Sequence, residues 1–62
     1  MEEPLHDHPA AAIRWVGENT DNTIFYNDLV CVIRVDAGTG TVLRLTEASD
    51  GTWFWQRLRP AF

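Results

Sequence analysis

The sequence is poor in the residues that most often stabilise very small proteins. Its 62 residues include a single cysteine, Cys31, which excludes a disulfide bond within the chain. A structural zinc site is hard to build from that cysteine and two histidines. A chain of this length buries only about 60% of the surface that its unfolded form exposes. We therefore expect additional support from self-association.

Long apolar stretches and a basic leader are also lacking. No run approaches the roughly 20 apolar residues that cross a membrane as a helix. The first seven residues are acidic, whereas a secretory signal begins with basic residues. We expect a cytoplasmic protein with no membrane partner, and a single unpaired cysteine agrees with a reducing compartment.

Residues that commonly carry catalysis are few and scattered. The one serine, Ser49, lies in a predicted turn, and both histidines, His6 and His8, lie near the N-terminus. Nucleophilic and general acid–base catalysis need such groups close together. The two histidines would also need a third ligand from elsewhere to hold a metal ion. We predict no enzyme activity, no cofactor and no metal site.

The residues that are present are typical of an ordered protein with an uneven charge. Hydrophobic residues make up 45% of the chain, and the formal net charge is −4. Residues 1–28 contain six of the nine acidic residues, whereas residues 29–62 contain four of the five arginines, and lysine is absent. The net charge argues against a general nucleic-acid-binding protein. Any anion-binding surface should lie in the second half of the chain.

The N-terminal part of the chain permits two interpretations. We predict a flexible acidic tail over residues 1–9 and a single small β domain over residues 10–62. An early proline, an alanine run and a closing glycine make Pro9–Gly17 resemble a two-turn helix. However, Ile13–Val16 alternates as a strand does, and its β-branched and aromatic residues favour a strand from Ala12.

Turn residues divide the rest of the chain into short strands. Strands are predicted at 23–27, 29–36, 41–47 and 52–59. The connections are a two-residue turn at Asn27-Asp28 and glycine-containing turns at 37–40 and 48–51. The predicted fold is all-β, a small antiparallel meander or barrel of four to five strands. It becomes α+β if Pro9–Val16 is a short helix.

The last hairpin has two possible registers, which place Trp53 and Trp55 on different faces of the sheet. If Gly51 takes the left-handed position of a bulged type I turn, both tryptophans share a face with Leu43 and Leu45 and become core. We favour this register because Ser-Asp-Gly suits such a turn. In the other register the tryptophans form an exposed aromatic strip beside the arginines.

The same type of turn at Gly40 makes Arg34 and Arg44 cross-strand neighbours. Two adjacent arginines are unfavourable unless an anion or a carboxylate bridges them, so this pair indicates a partner. Large apolar residues around the pair indicate a covered or shared surface. The candidate partner-binding residues are Arg34, Arg44, Phe54 and Leu58 in the favoured register, and Trp53, Trp55, Arg57 and Arg59 in the other.

These features predict a non-catalytic protein-interaction module, such as a small regulator, inhibitor or accessory subunit. It would bind another protein or a second copy of itself through the aromatic and arginine-bearing sheet face or through a free sheet edge. The alternative is single-stranded nucleic-acid binding, in which aromatic rings stack on bases and arginines neutralise phosphates. The acidic first half of the chain weighs against this alternative.

Overall fold

One helix and four strands are formed in a computed structural model that describes residues 3–27 and 31–59. The elements are α1 (Pro9–Asn19), β1 (Thr23–Asn27), β2 (Cys31–Val35), β3 (Val42–Glu47) and β4 (Trp53–Arg59). The strands form one antiparallel sheet in the order β1-β2-β3-β4. This order confirms the predicted antiparallel meander, and the helix was the alternative prediction for the N-terminal part of the chain. The predicted beginning of the second strand at Leu29 lies outside the described residues.

The segment that begins at Pro9 is a helix, so the strand favoured from Ala12 was wrong. The Nδ1 atom of His8 accepts a hydrogen bond from the Ala11 N–H at 3.2 Å and caps the helix. Pro9 occupies the first turn, where its missing N–H has no helical partner to lose. Ala12 and Val16, one turn apart, are fully buried. Packing of this apolar stripe on the sheet outweighs the β propensity of the segment.

Helix α1 covers one face of the sheet, which we call the inner face. Pro9 lies beside Val32, Leu45 and Trp53 around an apolar cavity of about 120 Å³. Leu45 is buried there, whereas the other sheet residues of this group are half-buried. The described core is therefore thin, and it lies between the helix and the middle of β2, β3 and β4.

The favoured register of the last hairpin is confirmed. Gly51 has φ of +87°, and its N–H donates to the Ala48 carbonyl at 3.0 Å. The Ala48 N–H in turn donates to the Thr52 carbonyl at 2.8 Å. Leu45 consequently lies opposite Trp55. The bulged turn therefore directs Trp53 and Trp55 to the inner face.

The register between β2 and β3 differs from the prediction by one residue. Arg34 lies opposite Leu43 and not opposite Arg44. The reason is a longer loop in which the Gly40 N–H donates to the Asp36 carbonyl at 2.7 Å and the Asp36 carboxylate accepts further loop amides. Because a shift of one residue turns a side chain to the other face, Arg34 lies on the inner face and Arg44 does not. The predicted Arg34–Arg44 pair is wrong.

The first hairpin also differs from its predicted register. A turn centred on Asn27 and Asp28 would place Ile24 opposite Cys31. Instead Asn27 pairs with Cys31, and Ile24 lies opposite Arg34. The connection is therefore residues 28–30, which lie outside the described part of the chain.

Two glycine-to-alanine substitutions should change stability in opposite directions. Gly51→Ala forces an L-residue into the left-handed region and should destabilise the fold by about 1–2 kcal/mol. Gly17→Ala is the matched control, because its new methyl group meets no atom within 4 Å and alanine favours the helix by about 0.5–1 kcal/mol. Urea denaturation followed by tryptophan fluorescence measures both changes. Equal effects of the two substitutions would contradict the assigned turn.

The turn at Asp50 should make stability depend on pH. Asp50 Oδ1 accepts hydrogen bonds from the Thr52 hydroxyl at 2.6 Å and the Thr52 N–H at 3.0 Å. These bonds, the hydroxyl first, lower the pKa of Asp50 below its ordinary value of 3.8. The folded-state pKa is the lower one, so the carboxylate stabilises the fold above pH 3.8 and its contribution is lost as the pH falls further.

Asp50→Asn should therefore lower the urea midpoint at pH 6. The difference in midpoint between this variant and the wild-type protein should become smaller as the pH falls below 3.8. The exposed Asp21→Asn serves as the control, for which we expect no comparable change at pH 6. A difference between Asp50→Asn and wild type that stays constant down to pH 2.5 would argue against a role for the Asp50 charge.

Candidate functional site

A buried arginine lies on the inner face, and its charge is matched by groups from distant parts of the chain. Arg34 is only 5% exposed. Its Nη1 and Nη2 atoms donate to the two carboxylate oxygens of Glu3 at 2.8 and 2.7 Å, and its Nε donates to Asn22 Oδ1 at 2.6 Å. The guanidinium carbon lies 5.9 Å from the Trp15 ring centroid and 5.5 Å from that of Trp55. Charged hydrogen bonds and cation–π contacts together offset the cost of burying the cation.

Residues 3–8, which we call the N-terminal strap, follow the edge of β4 instead of extending as a free tail. The His6 N–H donates to the Trp53 carbonyl at 3.0 Å, and the Trp53 N–H donates to the His6 carbonyl at 2.7 Å. The buried His6 ring lies 6.1 Å from the Trp15 ring. At its start the strap supplies Glu3 to Arg34. Polar residues that suggested a solvated tail therefore have specific partners far along the chain.

Beside the His6–Trp53 bridge, an open groove of about 600 Å³ separates the strap from β4. An adjoining cavity of about 260 Å³ contains Arg34 in its wall. Glu3 and the exposed Arg57 line both spaces. The wall of the adjoining cavity therefore contains two arginines, Arg34 and Arg57, and two carboxylates, Glu3 and Asp36. The groove is lined by Glu3, Pro4, Leu5, Leu43, Phe54, Trp55 and Arg57.

The opposite side of the sheet, which we call the outer face, is not covered by any described element. One row across the four strands consists of Phe25, Ile33, Arg44 and Gln56. Phe25 is 55% exposed and Ile33 is half-buried, whereas Arg44 and Gln56 are exposed. Thr46 and Phe54 form a neighbouring pair on this face, and Cys31 lies two residues before Ile33 on β2; all three are half-buried. The outer face therefore combines large apolar side chains with a single described charge, that of Arg44.

The eight predicted site residues do not lie together in the structure. Trp53, Trp55 and Arg34 lie on the inner face beneath α1, and Arg57 lies at the groove. Arg44 and Phe54 lie on the outer face. Leu58 is 47% exposed next to the β-bulge, where Val42 lies opposite Arg59. The backbone of Arg59 belongs to β4, but its side chain lies outside the described part of the structure.

Sequence reasoning missed the partners of Arg34. Glu3 is separated from it by 31 positions, and Asn22 belongs to a segment that looked like an ordinary loop. One signal was available. Arg34 is the only charge within a run of apolar residues, and a charge inside a half-buried strand needs a partner. No pattern in the chain identified which carboxylate would supply it.

Comparisons of the chain with protein-family models, with curated proteins and with solved structures found no match. Over residues 3–27 and 31–59, no helix is long and apolar enough to cross a membrane. The same residues contain no group of three or more metal-ligating side chains. The candidate functional sites of the described residues are therefore the buried arginine, the groove and the outer face.

Removal of the Glu3 charge should destabilise the fold. Glu3→Gln leaves the buried Arg34 without its counter-charge, and we expect a loss of about 1–3 kcal/mol. The figure is below that of a fully buried pair because the Glu3 side chain is 35% exposed. Glu18→Gln, the same change at an exposed helical position, should stay within about 0.5 kcal/mol. Urea denaturation decides, and equal stabilities of the two variants would contradict a structural role for the pair.

Proposed function

We propose that this protein is a non-catalytic interaction module whose outer face packs against the outer face of a second copy. The exposure of large apolar side chains on an uncovered sheet face carries this proposal. Phe25 is 55% exposed, and Ile33 and Phe54 are only half-buried. Isolated exposed apolar residues are common on protein surfaces, but a contiguous patch across neighbouring strands usually marks an interface.

The size of the outer face supports self-association of modest strength. Four strands about 4.8 Å apart, each about five residues long at about 3.3 Å per residue, make a face of roughly 300 Å² in projection. Two such faces with their side-chain relief bury on the order of 1,000 Å², the lower end of specific interfaces. We therefore expect a dissociation constant in the micromolar range or weaker.

The polar residues of the outer face are compatible with such packing. Stacked sheets lie about 10 Å apart with their strands offset by about 30°. Arg44 can pack its aliphatic stem and keep its guanidinium group at the rim. Thr46 Oγ1 donates to Gln56 Oε1 at 3.2 Å, so these two polar groups already partner each other.

Single-stranded nucleic-acid binding stays a prediction without an observation in its favour. The aromatic platform that it requires depends on exposed tryptophans, whereas Trp53 and Trp55 are half-buried beneath α1. The absence of enzyme activity and a cytoplasmic location also stay predictions.

The proposal is tested by sedimentation equilibrium between about 5 μM and 1 mM. The wild-type protein should form a dimer within this range. Phe25→Ser should weaken the dimer at least about tenfold, because a twofold interface contains each side chain twice. Tyr26→Ser is the matched control, since Tyr26 is the neighbouring residue, is 66% exposed and lies on the opposite side of β1.

A protein that stays monomeric to 1 mM would overturn self-association through the outer face. Equal weakening by Phe25→Ser and Tyr26→Ser would locate the interface elsewhere. Circular dichroism of each variant ensures that loss of the dimer is not loss of the fold.

A further inference from the structure

The N-terminal strap lies in a site whose walls are complete without it. We propose that this site is a receptor for an acidic, extended segment of another protein, and that the strap is its resident ligand in cis. The incoming segment would place a carboxylate on Arg34 and add its backbone to the edge of β4. This inference does not depend on self-association through the outer face.

The carboxylate-binding part of the site is held by the body of the fold. Nε of Arg34 is fixed by Asn22 Oδ1, and the guanidinium group lies between the rings of Trp15 and Trp55. None of these groups belongs to the strap. Nη1 and Nη2 therefore present a preorganised planar fork, whose geometry matches the two oxygens of a carboxylate.

The strand-binding part of the site is only partly used by the strap. The backbone N–H and C=O of Trp53 bond to His6, and those of Trp55, two residues further on, point to the same edge. Extending the register of the His6–Trp53 bridge places Pro4 opposite Trp55, and proline has no N–H to donate. A segment with any other residue at that position could make one more backbone hydrogen bond than the strap makes.

The strap is held mainly by Glu3 and His6, and the groove contains an arginine, Arg57, that the strap does not pair with. Leu5 is 63% exposed, so its side chain adds little burial. Arg34–Glu3 is the one arginine–carboxylate pair within the described residues. Arg57 at the groove is thus available to a second carboxylate. These features favour an acidic ligand that has two carboxylates and lacks the proline.

The experiment measures binding of labelled peptides to the full-length protein by fluorescence polarisation. The first peptide, Glu-Pro-Leu-His-Asp-His, copies the strap. The second replaces its proline by alanine, and the third replaces its glutamate by glutamine. The receptors are the wild-type protein, Glu3→Lys, which expels the strap by repulsion from Arg34, and Glu18→Lys, which makes the same charge change at an exposed helical position.

We expect Glu3→Lys to bind the strap peptide at least about tenfold more tightly than wild type or Glu18→Lys, because a tethered strap competes at an effective concentration of the order of millimolar. The alanine peptide should bind more tightly than the strap peptide. The glutamine peptide should bind at least about tenfold more weakly. Equal binding by the two lysine variants, or by the glutamate and glutamine peptides, would overturn the proposal.

Two further measurements keep the outcome decisive. If Glu3→Lys does not fold, as judged by circular dichroism, Glu3→Gln replaces it with the same expected order of peptides. Phe25→Ser, which should weaken self-association through the outer face, should not change the affinity for the peptides when it is added to the wild-type protein or to Glu3→Lys. A loss of peptide binding in Phe25→Ser would place the peptide on the outer face and would overturn the assignment to the β4 edge.

Discussion

The arrangement of the other elements depends on the contacts of the buried guanidinium group of Arg34. Its partners come from the strap, from α1, from the segment after α1 and from β4. An arginine without these partners would carry a desolvation cost of several kcal/mol. The same contacts therefore join four parts of the chain that are far apart in sequence. In a protein with so thin a core, one buried charge with a carboxylate, an amide and two aromatic rings as partners joins elements that a larger apolar core would join elsewhere.

The small size of the chain explains why its two sheet faces differ. An eleven-residue helix is about 16 Å long and can cover one face of a four-stranded sheet. The inner face thus receives α1, Arg34 and the tryptophans, while the outer face keeps its phenylalanines and Ile33 in contact with solvent. An apolar outer face suits association by area, whereas the groove at β4 suits a charged strand. The two surfaces therefore differ in chemistry, one being apolar and the other carrying charge.

Much of the secondary structure was predictable from local signals. The bulged turn at Gly51 was favoured because Ser-Asp-Gly suits it, and this turn favoured the register in which Trp53 and Trp55 face the core. The helix at Pro9 was one of two alternatives. The proline at its start and the glycine near its end correctly indicated a helix, whereas its β-branched residues wrongly indicated a strand. The loop at 37–40 was predicted one residue too short, because the Asp36 side chain accepts hydrogen bonds from loop amides and so permits one more loop residue. That single residue moved Arg34 from the outer face to the inner face.

By itself, therefore, the sequence determined the places of the four strands that follow residue 22, their antiparallel order and the turn that orients β4, because these depend on residues that are neighbours in the chain. Only the tertiary structure decided the partners of Arg34, the docking of the strap on β4 and the face that α1 covers. Each of these contacts joins residues separated by tens of positions, and several carboxylates in the acidic first half could have met Arg34 equally well. The choice of Glu3 required the geometry of the whole fold, in which the bridge at His6 brings the strap to the buried charge of Arg34.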